Sequence, residues 1–218
     1  MSKKKNHLSE NNALTPSDIA INDLYIGFNG KVIYNGASFV FPAGTLSALT
    51  GPSGSGKTTL LRAIAGLLPY KGIIETGRRP VSFAFQTPRL LPWLTVRDNV
   101  TAPLIDKSSA DAVKIADEWL TRLGLSDSLD KYPDELSGGM ALRVSLARAF
   151  AAATPGCILL LDEPTKEIDK KARQAVTEII LGFRGKCTII AATYDDELIA
   201  NADQTVDTVI NLNSAVKT

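Results

Sequence analysis

The stretch Gly51-Pro52-Ser53-Gly54-Ser55-Gly56-Lys57-Thr58, with Thr59 next, follows the spacing G-x-x-x-x-G-K-[ST]. It separates a strand-like run, Thr45–Thr50, from a helical run, Lys57–Leu68. A strand before and a helix after make a strand–loop–helix unit, the context that confirms the motif. Glycines in such a loop let backbone N–H groups turn inward around phosphate oxygens. The helix start adds its partial positive charge. Lys57 supplies a point charge to β- and γ-phosphates, and Thr58 offers a hydroxyl to Mg²⁺. A Gly-rich turn without a ligand is the plainer reading, and the strand–helix context weighs against it.

The rest of the chain extends this unit. Ile19–Phe28 and Lys31–Phe41 read as strands joined by an Asn29-Gly30 hairpin signal. Pro42-Ala43-Gly44 reads as the turn into the third strand, and short strands follow at Gly72–Glu75 and Val81–Phe85. The middle is helical. Ser108 caps a helix reaching Leu123 that places Val113, Ala116, Trp119, Leu120 and Leu123 on one face, and Ser137 caps Gly138–Ala153. Then come an apolar strand (Cys157–Leu161), a helix (Asp169–Phe183), a second apolar strand (Cys187–Ala192), a short acidic helix and a last strand at Thr205–Leu212. Apolar strands alternating with helices predict an α/β fold with a mostly parallel sheet covered on both faces. An antiparallel N-terminal piece and a helical insert over about residues 87–150 complete the expectation. Residues 1–17, polar and with Lys3, Lys4 and Lys5 in a row, read as a disordered lead-in, and 18–218 as the folded domain.

Composition narrows the function classes. The chain has 24 Lys+Arg against 23 Asp+Glu, a net charge of +1, which argues against a nucleic-acid partner held on a broad basic face. Two Cys in 218 residues exclude a disulfide scaffold and suit a reducing compartment. Cys157 and Cys187 each begin an apolar strand, so core packing is the first reading and a redox pair the second. The longest uncharged window, Val32–Gly56, carries Pro42, Pro52 and several glycines, which no membrane-spanning helix would. The opening residues lack the apolar core of a signal peptide, and little follows the last strand, so neither secretion nor a C-terminal regulatory domain is expected.

Two further motifs carry chemistry. Cys157-Ile158-Leu159-Leu160-Leu161 runs into Asp162-Glu163-Pro164. A buried strand ending in two carboxylates suits an Asp that holds Mg²⁺ through water and a Glu that polarises an attacking water. Leu136-Ser137-Gly138-Gly139-Met140 opens a long helix carrying Arg143 and Arg148. Alone it could be mere capping; after the Gly-rich loop and before the acidic strand, it is diagnostic.

In that order, from about residue 19 to 212, the chain resembles the ATP-binding subunit of an ABC (ATP-binding cassette) transporter. Gly51–Thr58 is similar to its Walker A motif, Ile158–Pro164 to Walker B, and Leu136–Met140 to the LSGGQ signature, with Met140 in the last position. The resemblance implies Glu163 as the catalytic carboxylate, acting with Lys57 and Gln86. Gln86, after the strand Val81–Phe85, matches the glutamine that contacts Mg²⁺ and senses the permease. It implies Thr58, Gln86 and Asp162 around Mg²⁺, Phe28 stacked on adenine, and Asp169 as the D-loop aspartate. It also implies that Ser137, Gly138 and Gly139 meet ATP bound to a second ATP-binding subunit, either another copy of this chain or a paralogue. A transmembrane permease and a solute-binding protein are the other implied partners, at the cytoplasmic face of the membrane. The stretch Pro88–Val100 looks most like importer subunits for nitrate, sulfonates, taurine and thiamine precursors; Trp93 within it also reads as plain core.

The chain departs from that family at the γ-phosphate histidine, before Asp169 and in length, the stretch Lys57 to Gln86 being compact. The histidine that usually contacts the γ-phosphate, within Thr-His-Asp, is replaced in Thr193-Tyr194-Asp195, and the only histidine is His7. The residues Lys166-Glu167-Ile168 are unlike the small ones usual before Asp169. Tyr194 therefore raises a second reading, a hydrolytically impaired partner in a heteromeric transporter, which the intact Glu163 opposes. A third, a non-transport ATPase of DNA repair or translation, needs coiled-coil insertions or tandem cassettes, and the chain has neither.

Overall fold

The computed structural model describes residues 17–28 and 30–208. Strands β1 (Ile19–Phe28) and β2 (Lys31–Phe41) pair antiparallel from Ile19↔Phe41 to Phe28↔Lys31. The tight connection needs Gly30 at φ 78°, a left-handed conformation that glycine adopts without strain. Asn29, the other half of the hairpin signal, lies outside the described residues, as does the stretch 1–16. Strand β4 (Lys71–Glu75) joins β1 on its other side and completes a three-stranded antiparallel sheet, β2-β1-β4.

The second sheet is parallel throughout, in the order β5-β6-β7-β3-β8. It comprises β3 (Leu46–Thr50), β5 (Val81–Ala84), β6 (Ile158–Asp162), β7 (Thr188–Ala192) and β8 (Gln204–Asp207). The last strand was expected to run to Leu212; it ends at Asp207, and residues 209–218 lie outside the described set. Every residue of β6 and β7 is buried, which is why neither strand shows polar alternation. Alternation survives as a choice of core. Ile158 and Leu160 face helix α1 (Lys57–Ile64) and the antiparallel sheet, whereas Leu159 and Leu161 face the helices on the other side. Truncating any of these four to alanine would cost about 2–5 kcal/mol.

The far core is closed by α3 (Ser109–Arg122), α4 (Gly138–Ala152) and α5 (Lys170–Leu181), with Trp119, Phe150 and Phe183 packed ring against ring. Ser108 and Ser137 cap α3 and α4 as the sequence predicts. Ala112, Ala116 and Leu120 are the buried stripe of α3, while Val113 is exposed, because the buried face is one residue out of phase with it. Helix α2 (Val96–Thr101), which sequence reasoning missed, is short and capped by Thr95. Its fully buried Asn99 binds the main chain of Leu91 in both directions and donates to the Leu94 and Thr95 carbonyls. That fixes the loop bearing Trp93, whose side chain is 71% exposed and so is not core. Cys157 and Cys187 are buried free thiols with sulfurs 3.2 Å apart.

Candidate active site

Loops leaving the carboxyl ends of β3, β6 and β7 converge on one cavity of about 630 Å³. Open parallel sheets place ligands at this edge, where helix starts and strand ends meet. The loop after β3 is shaped by its glycines. Gly51 has φ 124°, and a Cβ there would lie 2.7 Å from Thr208 Oγ1; at Gly56, φ 99°, it would lie 2.7 Å from Ile33 Cγ2. Any side chain would push the loop off its support. The Thr208 hydroxyl secures the loop from behind, bonding the Thr50 carbonyl and the Ser55 hydroxyl. Gly56 offers no side-chain cap to α1, so the amides of the first turn stay free for an anion.

Lys57 is 7% exposed, and its ammonium donates to the Gly51 carbonyl (2.6 Å), the Pro52 carbonyl (3.1 Å) and the Tyr194 hydroxyl (2.8 Å). No carboxylate pairs with it among the described residues. A buried cation held only by neutral oxygens suits an anionic ligand.

Asp162 ends β6 and is buried. Its Oδ1 accepts the Thr58 hydroxyl at 2.9 Å, and its Oδ2 is buried without a hydrogen-bond partner. Burial pushes its carboxyl pKa up, against the Thr58 hydrogen bond that favours the charged form. Glu163, next along, sits at φ 53° and is anchored by its amide to the Ala192 carbonyl. Burial raises its pKa too, opposed first by the charge of Lys57. An orphaned carboxylate oxygen beside a threonine hydroxyl fits a hard divalent cation such as Mg²⁺. No cluster of three or more acidic, His or Cys ligands exists among the described residues, so the ion would share its coordination with phosphate and water.

Gln86, just past β5, lines the cavity with Ser53–Thr59 and Glu163. Phe28 does not. It is 42% exposed at the end of β1, and Ile33 of β2 provides the apolar wall beside Gly56 instead. Ser137, Gly138 and Gly139 also lie outside the cavity, at the start of α4, where the Ser137 hydroxyl accepts from the Met140 amide. Lys166, Glu167 and Arg173 line the cavity although no role was assigned to them from sequence. With Thr165, which also lines the cavity, Lys166 and Glu167 directly follow the acidic motif, a signal available in the sequence. Arg173 arrives through the α5 turn, its guanidinium 3.6 Å from Asp195.

The ABC transporter family model matches residues 34–166. The chain belongs to the ABC transporter family. Among the relatives of this ABC cassette is the aliphatic sulfonates import ATP-binding protein SsuB 1 of Pseudomonas syringae pv. syringae. It is 36% identical over 181 residues, which are 81% of this chain and 74% of that one. SsuB of Corynebacterium glutamicum is 40% identical over 182 residues, with the same coverage. A solved dimeric ATP-binding cassette in a post-hydrolysis state, bound to ADP and Pi, superposes with a TM-score of 0.79 at 25% identity. That match covers 87% of this chain and 93% of the other. The cassette is thus an ATP-binding, ATP-hydrolysing subunit with the P-loop α/β fold expected from its sequence. The expectation of an impaired partner subunit gains no support from these relatives.

Proposed function

We propose that this cassette energises a membrane importer for small anions of the aliphatic sulfonate class, binding and hydrolysing MgATP in the cavity after β3, β6 and β7. The observation that carries the chemistry is the convergence of Lys57, Thr58 and Glu163 on that one cavity, with buried Asp162 bonded to the Thr58 hydroxyl behind it. In the proposed roles, the loop from Gly51 to Thr59 cradles the phosphates and Lys57 neutralises their terminal charge. Thr58, Asp162 and Gln86 hold Mg²⁺, which when bound draws charge from the phosphate oxygens. Glu163 takes the proton of the attacking water. Phe28, exposed at the end of β1 and outside the cavity, would meet the adenine only where it projects beyond the cavity rim.

The exclusion of Ser137, Gly138 and Gly139 from the cavity supports a site completed by a second ATP-binding subunit. Exposed Trp93 and Ile105 (92%), on the loops flanking α2, support contact with a transmembrane permease. No described helix is long and apolar enough to cross a membrane, so the pathway belongs to that partner. The sulfonate class is supported by the SsuB relatives and by the similar stretch Pro88–Val100. A solute-binding protein, the cytoplasmic face as location, and a single cassette over residues 18–218 with a helical subdomain at about 87–150 complete the proposal.

The test is co-purification from native membranes followed by reconstitution. A transmembrane partner should come down with the chain, and ATP-dependent uptake of an alkanesulfonate should vanish with Glu163→Gln. Co-purification of nucleic acid or ribosomes instead would overturn the reading.

A further inference from the structure

Lys57 has three ammonium protons, and three acceptors take them. Two are carbonyls of the loop that the lysine itself closes, Gly51 O and Pro52 O. The third is the Tyr194 hydroxyl, brought from the far end of β7 across a separation of 137 residues. The same ring lies against the ammonium, with Nζ 4.2 Å from its centroid. Tyr194 is 53% exposed and lines the cavity, whereas the lysine is 7% exposed. The tyrosine therefore stands between Lys57 and the open side of the site.

Its main chain is tied down separately. Thr193, on one side of it, donates its amide to the Leu49 carbonyl and accepts the Asp195 amide on its hydroxyl. On the other side, Asp195 caps helix α6 (Asp196–Ala200) through the Glu197 and Leu198 amides. The ring can swing out of the site without breaking these bonds, which leaves the backbone on both sides in place.

A lysine with no free proton binds phosphate only by giving up an acceptor. A diphosphate asks for one, and the longest contact, Pro52 O at 3.1 Å, can yield it. A triphosphate asks for a second. Gly51 O is held by the loop at 2.6 Å, which leaves the tyrosine, the one acceptor on a side chain free to turn.

We propose that Tyr194 sets the selectivity of this site between nucleoside triphosphate and diphosphate, its hydroxyl occupying the lysine contact that the terminal phosphate requires. The inference rests on the reading of the cavity as a nucleotide site. Loading of the triphosphate turns the ring out, and loss of the terminal phosphate lets the contact re-form. Tyr194 thereby lowers triphosphate affinity and leaves diphosphate affinity nearly untouched.

Calorimetric titration of the full chain with MgADP and with the magnesium complex of β,γ-imido-ATP tests this in the wild type, Tyr194→Phe and Tyr194→Ala. Tyr194→Phe loses the hydroxyl and Tyr194→Ala the ring as well. Both should bind the triphosphate analogue about five- to tenfold tighter, the equivalent of one net hydrogen bond, with ADP affinity constant to within about twofold. The ratio of the two affinities does not depend on the fraction of active protein, so a purely structural effect of the substitution would leave it unchanged. An unchanged ratio overturns the inference. Weaker triphosphate binding in Tyr194→Phe also overturns it, because the hydroxyl would then be a phosphate ligand rather than a competitor. If the wild type binds neither nucleotide, the nucleotide reading fails and takes the inference with it.

Discussion

Thr58 gives its hydroxyl proton to Asp162 at 2.9 Å across 104 residues of sequence, joining the first residues of α1 to the last residue of β6. The bond spans the parallel sheet, since β3, which leads into α1, and β6 are separated by β7. It holds one oxygen of a buried carboxylate and leaves the other without a hydrogen-bond partner, behind the cavity wall that Thr58 and Glu163 line. A cation arriving with phosphate therefore finds a ligand already oriented and desolvated, and the ordering cost has been met by folding.

Phosphate recognition should depend on Lys57 far more than on Phe28. Lys57→Ala removes the only buried cation at the loop and should weaken MgATP binding about 10- to 100-fold, the range of a charged hydrogen bond. Phe28→Ala should cost no more than about 1 kcal/mol, and should leave the binding of inorganic triphosphate unchanged. Calorimetry with both ligands separates the two effects. Equal MgATP affinity in wild type and Lys57→Ala would refute the phosphate cradle.

The buried carboxylate of Asp162 should make the ligand-free protein less stable as pH rises. Burial lifts its pKa in the folded chain above the unfolded value, so between the two values the folded state binds more protons. Stability is then greatest below the unfolded pKa and declines as pH climbs through the folded one. Asp162→Asn keeps an acceptor for Thr58 and removes the charge. Its ligand-free melting temperature at neutral pH should exceed that of the wild type by about 2–4 °C, the effect of some 1 kcal/mol in a chain this long. Melting curves across pH should show the gap closing in acid.

Glu163→Gln should retain ATP and lose the group that accepts the water proton, so ATP-bound dimers should accumulate. Sedimentation with MgATP reads this directly. A Glu163→Gln chain that stays monomeric at high concentration would exclude the self-paired sandwich and point to a different ATP-binding partner.

Tyr194 should also limit turnover. Phosphoryl transfer depends on positioned donors around the equatorial oxygens, and a phenol bonded to Lys57 is not placed as an imidazole would be. Tyr194→His should raise the hydrolysis rate of the isolated subunit on the order of tenfold, well inside what a misplacement of about 1 Å can cost. A steady-state rate that the substitution leaves unchanged would show that Glu163 and the Gly-rich loop suffice.

The sequence alone determined most of the elements and the loops from which the candidate site is built. The loop at Gly51–Thr58, the acidic end of β6 and the Ser137 cap are local signals, written in residues whose backbone freedom, charge or hydroxyl acts within a few positions. The uninterrupted apolar runs of β6 and β7 announced strands covered on both faces. Only the tertiary structure decided which of these groups share a cavity. Parallel pairing of β6, β7 and β3 brought Asp162, Tyr194 and Lys57 to one edge, and the placing of β2 over that edge put Ile33, rather than Phe28, against the loop. It also turned Val113 and Trp93 outward, since a helix or loop carries no record of which face its neighbours cover. The contact between Tyr194 and Lys57 is of the same kind. The sequence showed that a histidine was missing, whereas what its replacement touches depends on side-chain reach across two strands, which sequence separation does not encode.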